Sequence, residues 1–192
     1  DKLTNQADYD NEYQIIYHGN FGAPILEEGA RVSTPVKQIS PFNDYAKAGL
    51  KGWQTYLGPT KGFDEMVFNL VPYSDADGNT LAVLNNRAGN AGVAVGYNTR
   101  QLPVLTLWKN TDTRAQGYVT GIEPGTSYAY STKYQRPLGL VPKIQPGETK
   151  TFDLTYRLLQ NADEVKQALA QVEKIQGGRA TELREQPLVK LP

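Results

Sequence analysis

Gly117-Tyr-Val-Thr-Gly-Ile-Glu123, running into Pro124-Gly125-Thr126, is a short alternating run closed by a corner, and the same unit recurs along the chain. Val, Ile, Tyr, Thr and Leu dominate further runs at Glu12 to His18, Glu65 to Val71, Thr80 to Asn85, Gly92 to Tyr97, Val104 to Lys109 and Thr149 to Leu158. Such β-branched and aromatic runs, bounded by Gly, Pro, Asn and Asp, read as strands. Seven or more strands joined by short turns predict an all-β protein, an antiparallel sandwich. Asp75-Ala-Asp-Gly-Asn79 reads as a hairpin connection, because Asp, Asn and Gly tolerate the backbone that tight turns need. Gly22 to Phe63 carries fewer strand signals and is expected to be a long excursion with short strands.

One segment changes period. Between Asn161 and Gly177, residues Val165, Ala168, Leu169, Val172 and Ile175 recur at helical spacing, with Asn161 and Glu164 at capping-box distance and Gly177 as the stop. The spacing predicts a helix over 162–176 packed on the outside of a sheet. The domain organisation that follows is a polar arm over 1–11, one sandwich domain over 12–177 that includes the helix, and a charged tail over 178–192.

The 192 residues are 39% hydrophobic, enough for a core, and twenty basic residues balance twenty acidic ones. Without a basic surplus or charge run, nucleic acid and anionic membrane are not expected partners. No apolar stretch approaches the roughly 20 residues that span a bilayer. The absence of cysteine rules out disulfides and fits a cytoplasmic location. With one histidine and no cysteine the chain lacks the ligands of a zinc-type site, and neither a metal nor an organic cofactor is expected. Asp75, Asp77 and Asn79 open like a calcium loop, but Thr80 and Asn86 stand where Gly and Glu are needed, so the turn reading holds. Neither a nucleophile elbow nor a phosphate-binding glycine loop occurs.

Proton transfer near neutral pH must use that one histidine, His18, or a carboxyl group displaced from its ordinary pKa. In an extended Glu12 to His18, residues Tyr13, Ile15 and Tyr17 share one face while Gln14, Ile16 and His18 share the other. In Gly117 to Glu123 the same rule puts Tyr118, Thr120 and Ile122 opposite Val119, Gly121 and Glu123. Pattern alone favours a structural histidine and a solvated strand-end carboxylate.

Five segments together carry a resemblance: Tyr17-His18-Gly-Asn-Phe-Gly-Ala-Pro24, Gly62 to Phe68, Leu102 to Lys109, Tyr118 to Thr126, and Leu140 to Glu148. They resemble, in order, the C-terminal portion of galactose mutarotase-like proteins, in particular the aldose 1-epimerase-like bacterial branch carrying a domain of unknown function. The resemblance implies a large twisted antiparallel supersandwich, here incomplete at its N-terminus, with one C-terminal helix and a monosaccharide or sugar derivative bound on a concave sheet face. It implies an isomerase that interconverts sugar anomers by general acid-base catalysis, with Glu123 as base and His18 as acid. The alternative is a noncatalytic carbohydrate-binding module of the same fold.

For substrate contacts the resemblance offers Asp64 or Glu65 as a hydroxyl ligand, an exposed strand-start carboxylate being the alternative; the residue types add Trp108 as an aromatic platform, Lys109 and Asn20 as hydrogen-bonding groups, and Arg136 for an anionic substituent. Core packing serves Trp108 equally well, while turn stabilisation is the ordinary role of Asn20 and a solvated surface position that of Arg136. Trp53 and Tyr56 line the mouth or belong to the core. An incomplete sandwich exposes sheet edges, so a homo-oligomer or an additional N-terminal segment is the expected partner.

Overall fold

A computed structural model describes residues 1–191. The fold is a twisted antiparallel β-sandwich, and its strands are numbered in chain order. The larger sheet has six strands in the order β14 (Glu182–Leu183), β5 (Val36–Pro41), β6 (Met66–Pro72), β9 (Val104–Thr111), β10 (Tyr118–Gly125) and β3 (Gly19–Phe21). The smaller has four, β13 (Leu154–Leu159), β8 (Gly92–Asn98), β7 (Asn79–Asn85) and β4 (Arg31–Ser33). Two short ladders pin the N-terminal arm, β1 (Lys2–Thr4) to β12 (Thr149–Thr151) and β2 (Asn11–Glu12) to β11 (Lys143–Ile144).

Alternation fills the space between the sheets. Met66, Phe68 and Leu70 of β6, Leu105 and Leu107 of β9 and Ile122 of β10 face inward, against Ala82 and Leu84 of β7 and Val93, Val95 and Tyr97 of β8. The other face of the smaller sheet is also covered. Leu81, Val83 and Ala94 pack under Val165, Ala168 and Val172 of α2 (Ala162–Gln176), so β7 is buried on both sides and reads as a continuous apolar run. Asn161 caps the helix by accepting from the Glu164 amide at 2.9 Å, and Gly177 ends it at φ +58°. The short helix α1 (Thr132–Gln135) lies in the excursion between β10 and β11.

Two expectations are corrected. Glu12 to His18 is not one strand: β2 ends at Glu12, Ile16 makes an isolated bridge to Gly125, and pairing resumes at Gly19. Tyr17 donates its amide to the Pro124 carbonyl at 2.9 Å, and Pro124 has no N–H to return, so the ladder breaks there. Asp75 to Asn79 closes a tight turn, with Asp75 Oδ1 accepting the amides of Asp77 and Asn79. It is no hairpin, however, because β6 and β7 lie in different sheets. The C-terminal segment docks on the sandwich: β14 adds a parallel strand beside β5, and Leu188, Val189 and Leu191 pack on Val104, Tyr128 and Tyr130.

Candidate functional site

Strands β10, β9 and β6, together with the segment leading into β3, line a shared hollow of about 430 Å³. Alternation decides what faces it. Along β10 the inward residues are Thr120 and Ile122, leaving Gly121 and Glu123 on the other side. Along β9 the same parity turns Thr106 and Trp108 outward, and along β6 Val67. Pairing of Gly19 with Ile122 sets His18 beside Glu123 at the edge of the sheet. His18, Glu123, Glu65, Trp108 and Thr106 line the hollow, with Ile16, Val67, Phe42 and Ala129 supplying apolar wall.

His18 Nε2 lies 3.0 Å from Glu123 Oε1, with the imidazole half exposed and the carboxylate only 3% exposed. The approach is close without being aligned as a hydrogen bond, and Oε1 is left without a hydrogen-bond partner. Burial pushes the Glu123 carboxyl above the ordinary carboxylate range; His18 opposes this, and the negative charge of Glu65 adds to it. The Trp108 ring stands edge-on to His18 at 5.7 Å between centroids, and its Nε1 donates to Glu65 Oε2 at 2.7 Å. Glu65 thus holds the indole, and the indole flanks the imidazole.

The remaining sequence candidates lie elsewhere. Asn20, exposed, shares the outward face through its pairing with Gly121 but does not line the hollow. Asp64, also exposed, accepts the Glu65 amide at 2.9 Å and likewise lies outside the lining. Lys109 is turned away from the site by strand parity: it is buried, donates to the carbonyls of Trp53 and Thr55 at 2.9 and 2.7 Å, and sits 4.4 Å from the centre of the Tyr56 ring. Desolvation brings its pKa down to about 8. Arg136 forks onto Glu12 in an ion pair of 2.7 Å and does not reach the hollow. Trp53 and Tyr56 are core residues.

Two residues that the sequence did not single out complete the site. A methyl group built on Gly121 would collide with Glu123 Oε1 and come within 3.1 Å of its Cδ, so this glycine makes room for the carboxylate. An isolated glycine inside a strand run is the signal for such close approach. Thr106 had no such signal, because threonine is ordinary in a strand. Larger hollows exist, notably one of about 630 Å³ between α2 and the smaller sheet, but its lining of Arg157, Lys174, Arg179 and Asp75 holds no imidazole and no buried carboxylate. Among the described residues no cluster of three or more His, Asp or Glu side chains is arranged to hold a metal, and no helix is long and apolar enough to cross a membrane.

The family profile described as Domain of unknown function (DUF4432) matches residues 1–158. Comparison with curated proteins finds no match. A crystal structure of a "putative aldose 1-epimerase" from Klebsiella pneumoniae subsp. pneumoniae MGH 78578 is similar at 58% identity and TM-score 0.98, over 99% of this chain and 50% of that one. A galactose mutarotase-like protein from Clostridium acetobutylicum shares the fold at TM-score 0.54 and 16% identity, over 82% of this chain and 50% of its own. The chain therefore spans about half the length of each solved relative. With most of its length matched, the chain belongs to the DUF4432 family of domains of unknown function, and its fold is that of the galactose mutarotase-like protein.

Proposed function

We propose that the protein interconverts the anomers of an aldose, with Glu123 as general base and His18 as general acid. The observation that carries this reading is their contact: an imidazole and a buried carboxylate, both lining one hollow, meet at 3.0 Å. Anomer exchange needs a proton removed from the C1 hydroxyl and another delivered to the ring oxygen. Both oxygens are bonded to the same carbon, so two proton carriers side by side suit them. Ionised Glu123 takes the C1 hydroxyl proton, the C1–O5 bond breaks as the carbonyl forms, and O5 takes its proton from protonated His18. Rotation about C1–C2 and the reverse transfers close the ring as the other anomer. Burial favours this use of Glu123, because a carboxyl with a raised pKa is a stronger base than one in water.

The size of the hollow fits a small ligand, whose pockets run from about 300 to about 1,000 Å³. The Klebsiella relative's description points the same way. The test is catalysed α/β exchange followed by polarimetry or NMR, with the spontaneous rate subtracted, for the parent, His18→Asn and Glu123→Gln. Each variant is expected to lose about 10²- to 10⁴-fold in rate. Equal rates in all three overturn the proposal, and sugar binding without exchange in the parent leaves a noncatalytic carbohydrate-binding module.

A further inference from the structure

Five polar side chains form a row straight across the larger sheet. The register pairs Ser40 with Asn69, Asn69 with Thr106, and Thr106 with Glu123, and His18 follows Glu123 at the edge. Ser40, Asn69 and Thr106 are each 1% exposed, and Glu123 is 3% exposed. Oxygens of all four, Ser40 Oγ, Asn69 Oδ1, Thr106 Oγ1 and Glu123 Oε1, have no hydrogen-bond partner. Asn69 directs its amide to the Tyr130 hydroxyl at 2.9 Å and does not reach the hollow, so the row opens into the hollow at three residues, Thr106, Glu123 and His18.

An unpartnered hydroxyl in a buried strand position is costly and calls for an explanation. Thr120, on the opposite face of β10, shows the ordinary solution, bonding the Tyr56 hydroxyl at 2.8 Å and the Trp108 carbonyl at 2.6 Å. Thr106 has no such partner and faces the hollow beside Glu123.

Resting on the reading of Glu123 and His18 given above, we propose that Thr106 is a specificity residue that binds the hydroxyl on C2 of the aldose. With O5 at His18 and O1 at Glu123, the next substituent along the sugar, O2, falls on the Thr106 side. The order imidazole, carboxylate, hydroxyl, from the residue preceding β3 across β10 to β9, matches the order O5, C1, C2 around the ring. A threonine hydroxyl both donates and accepts, so it pairs with a sugar hydroxyl in either sense. The ligand class is therefore a 2-hydroxy aldose, as against its 2-deoxy counterpart.

The test compares D-galactose with 2-deoxy-D-galactose, and D-glucose with 2-deoxy-D-glucose, in the parent, Thr106→Val and Thr106→Ser. Valine keeps the shape and removes an unsatisfied buried hydroxyl, so the variant is expected to fold at least as well as the parent. The parent is expected to favour the 2-hydroxy sugar in kcat/KM by about tenfold, the upper range for one uncharged hydrogen bond. Thr106→Val should lose that preference by slowing on the 2-hydroxy sugar alone, and Thr106→Ser should restore it. A preference unchanged in Thr106→Val, or equal slowing on both sugars of a pair, overturns the assignment. Should the parent exchange no aldose at all, the acid-base reading fails separately, and ligand-detected NMR of sugar binding decides the C2 contact by the same comparison of the two sugars across the three proteins.

Discussion

Lys109→Met is expected to change the pH dependence of folding stability in a direction that its burial dictates. In the fold its pKa stands at about 8 against an ordinary 10.5, because desolvation disfavours the ammonium. In the unfolded chain the amine protonates first as pH falls, so the neutral form's contribution to stability is complete above the unfolded value and is lost on descending to the folded one. Integrating between those two values, wild-type stability from this group rises by about 2 kcal/mol from about pH 8 to about pH 10.

Methionine has no such dependence, but it leaves the Trp53 and Thr55 carbonyls without the donor that lies 2.9 and 2.7 Å away. Orphaned carbonyls cost about 1–3 kcal/mol each, whereas removing the buried charge returns about 3 kcal/mol in the acidic part of the range. The variant is thus expected to lie close to wild type near about pH 8 and to fall a further 2 kcal/mol or so behind it by about pH 10. Urea titrations of both proteins at the two pH values measure this, and other titrating groups cancel in the difference. A gap between the proteins that does not change with pH refutes the reasoning, and so does one that narrows as pH rises.

Gly121→Ala should displace the Glu123 carboxylate, since the new methyl meets Oε1; anomer exchange is expected to fall about tenfold or more with the fold retained, checked by exchange rate beside circular dichroism. Exchange by the parent should rise with pH through an apparent value above the ordinary carboxylate range, because the base must be ionised and burial holds it protonated longer; a pH–rate profile reads this. The same raised value makes the Glu123 contribution to stability present in acid and lost as pH rises through the folded-state pKa, so Glu123→Gln should gain stability relative to wild type as pH rises through that interval, measured by thermal melts. Asn161→Ala removes the cap on α2 and is expected to cost about 1 kcal/mol in a denaturant titration.

What local pattern governs was legible in the residues. Helix α2 agrees with its apolar spacing, its cap and its glycine stop, and the faces of β10 follow from simple alternation. The inward phase of Tyr13, Ile15 and Tyr17 was legible too, although the ladder at Tyr17 is interrupted by Pro124, a partner distant in sequence. Trp108 and Lys109 show where legibility ends. Adjacent strand residues must point to opposite faces, so both could not serve one site, yet only the packed sheets reveal which face is the hollow.

By itself, then, the sequence determined an all-β chain with one amphipathic helix, a single imidazole, and the parity of each strand, because these depend on neighbours a few residues away. The tertiary structure alone decided strand order, and with it everything that depends on cross-strand contact. It set His18 beside Glu123, spent Arg136 on Glu12, sank Lys109 among carbonyls, and brought Thr106 to the carboxylate. Strand order is set by how two apolar faces bury each other across the whole chain, and no local pattern encodes that sum.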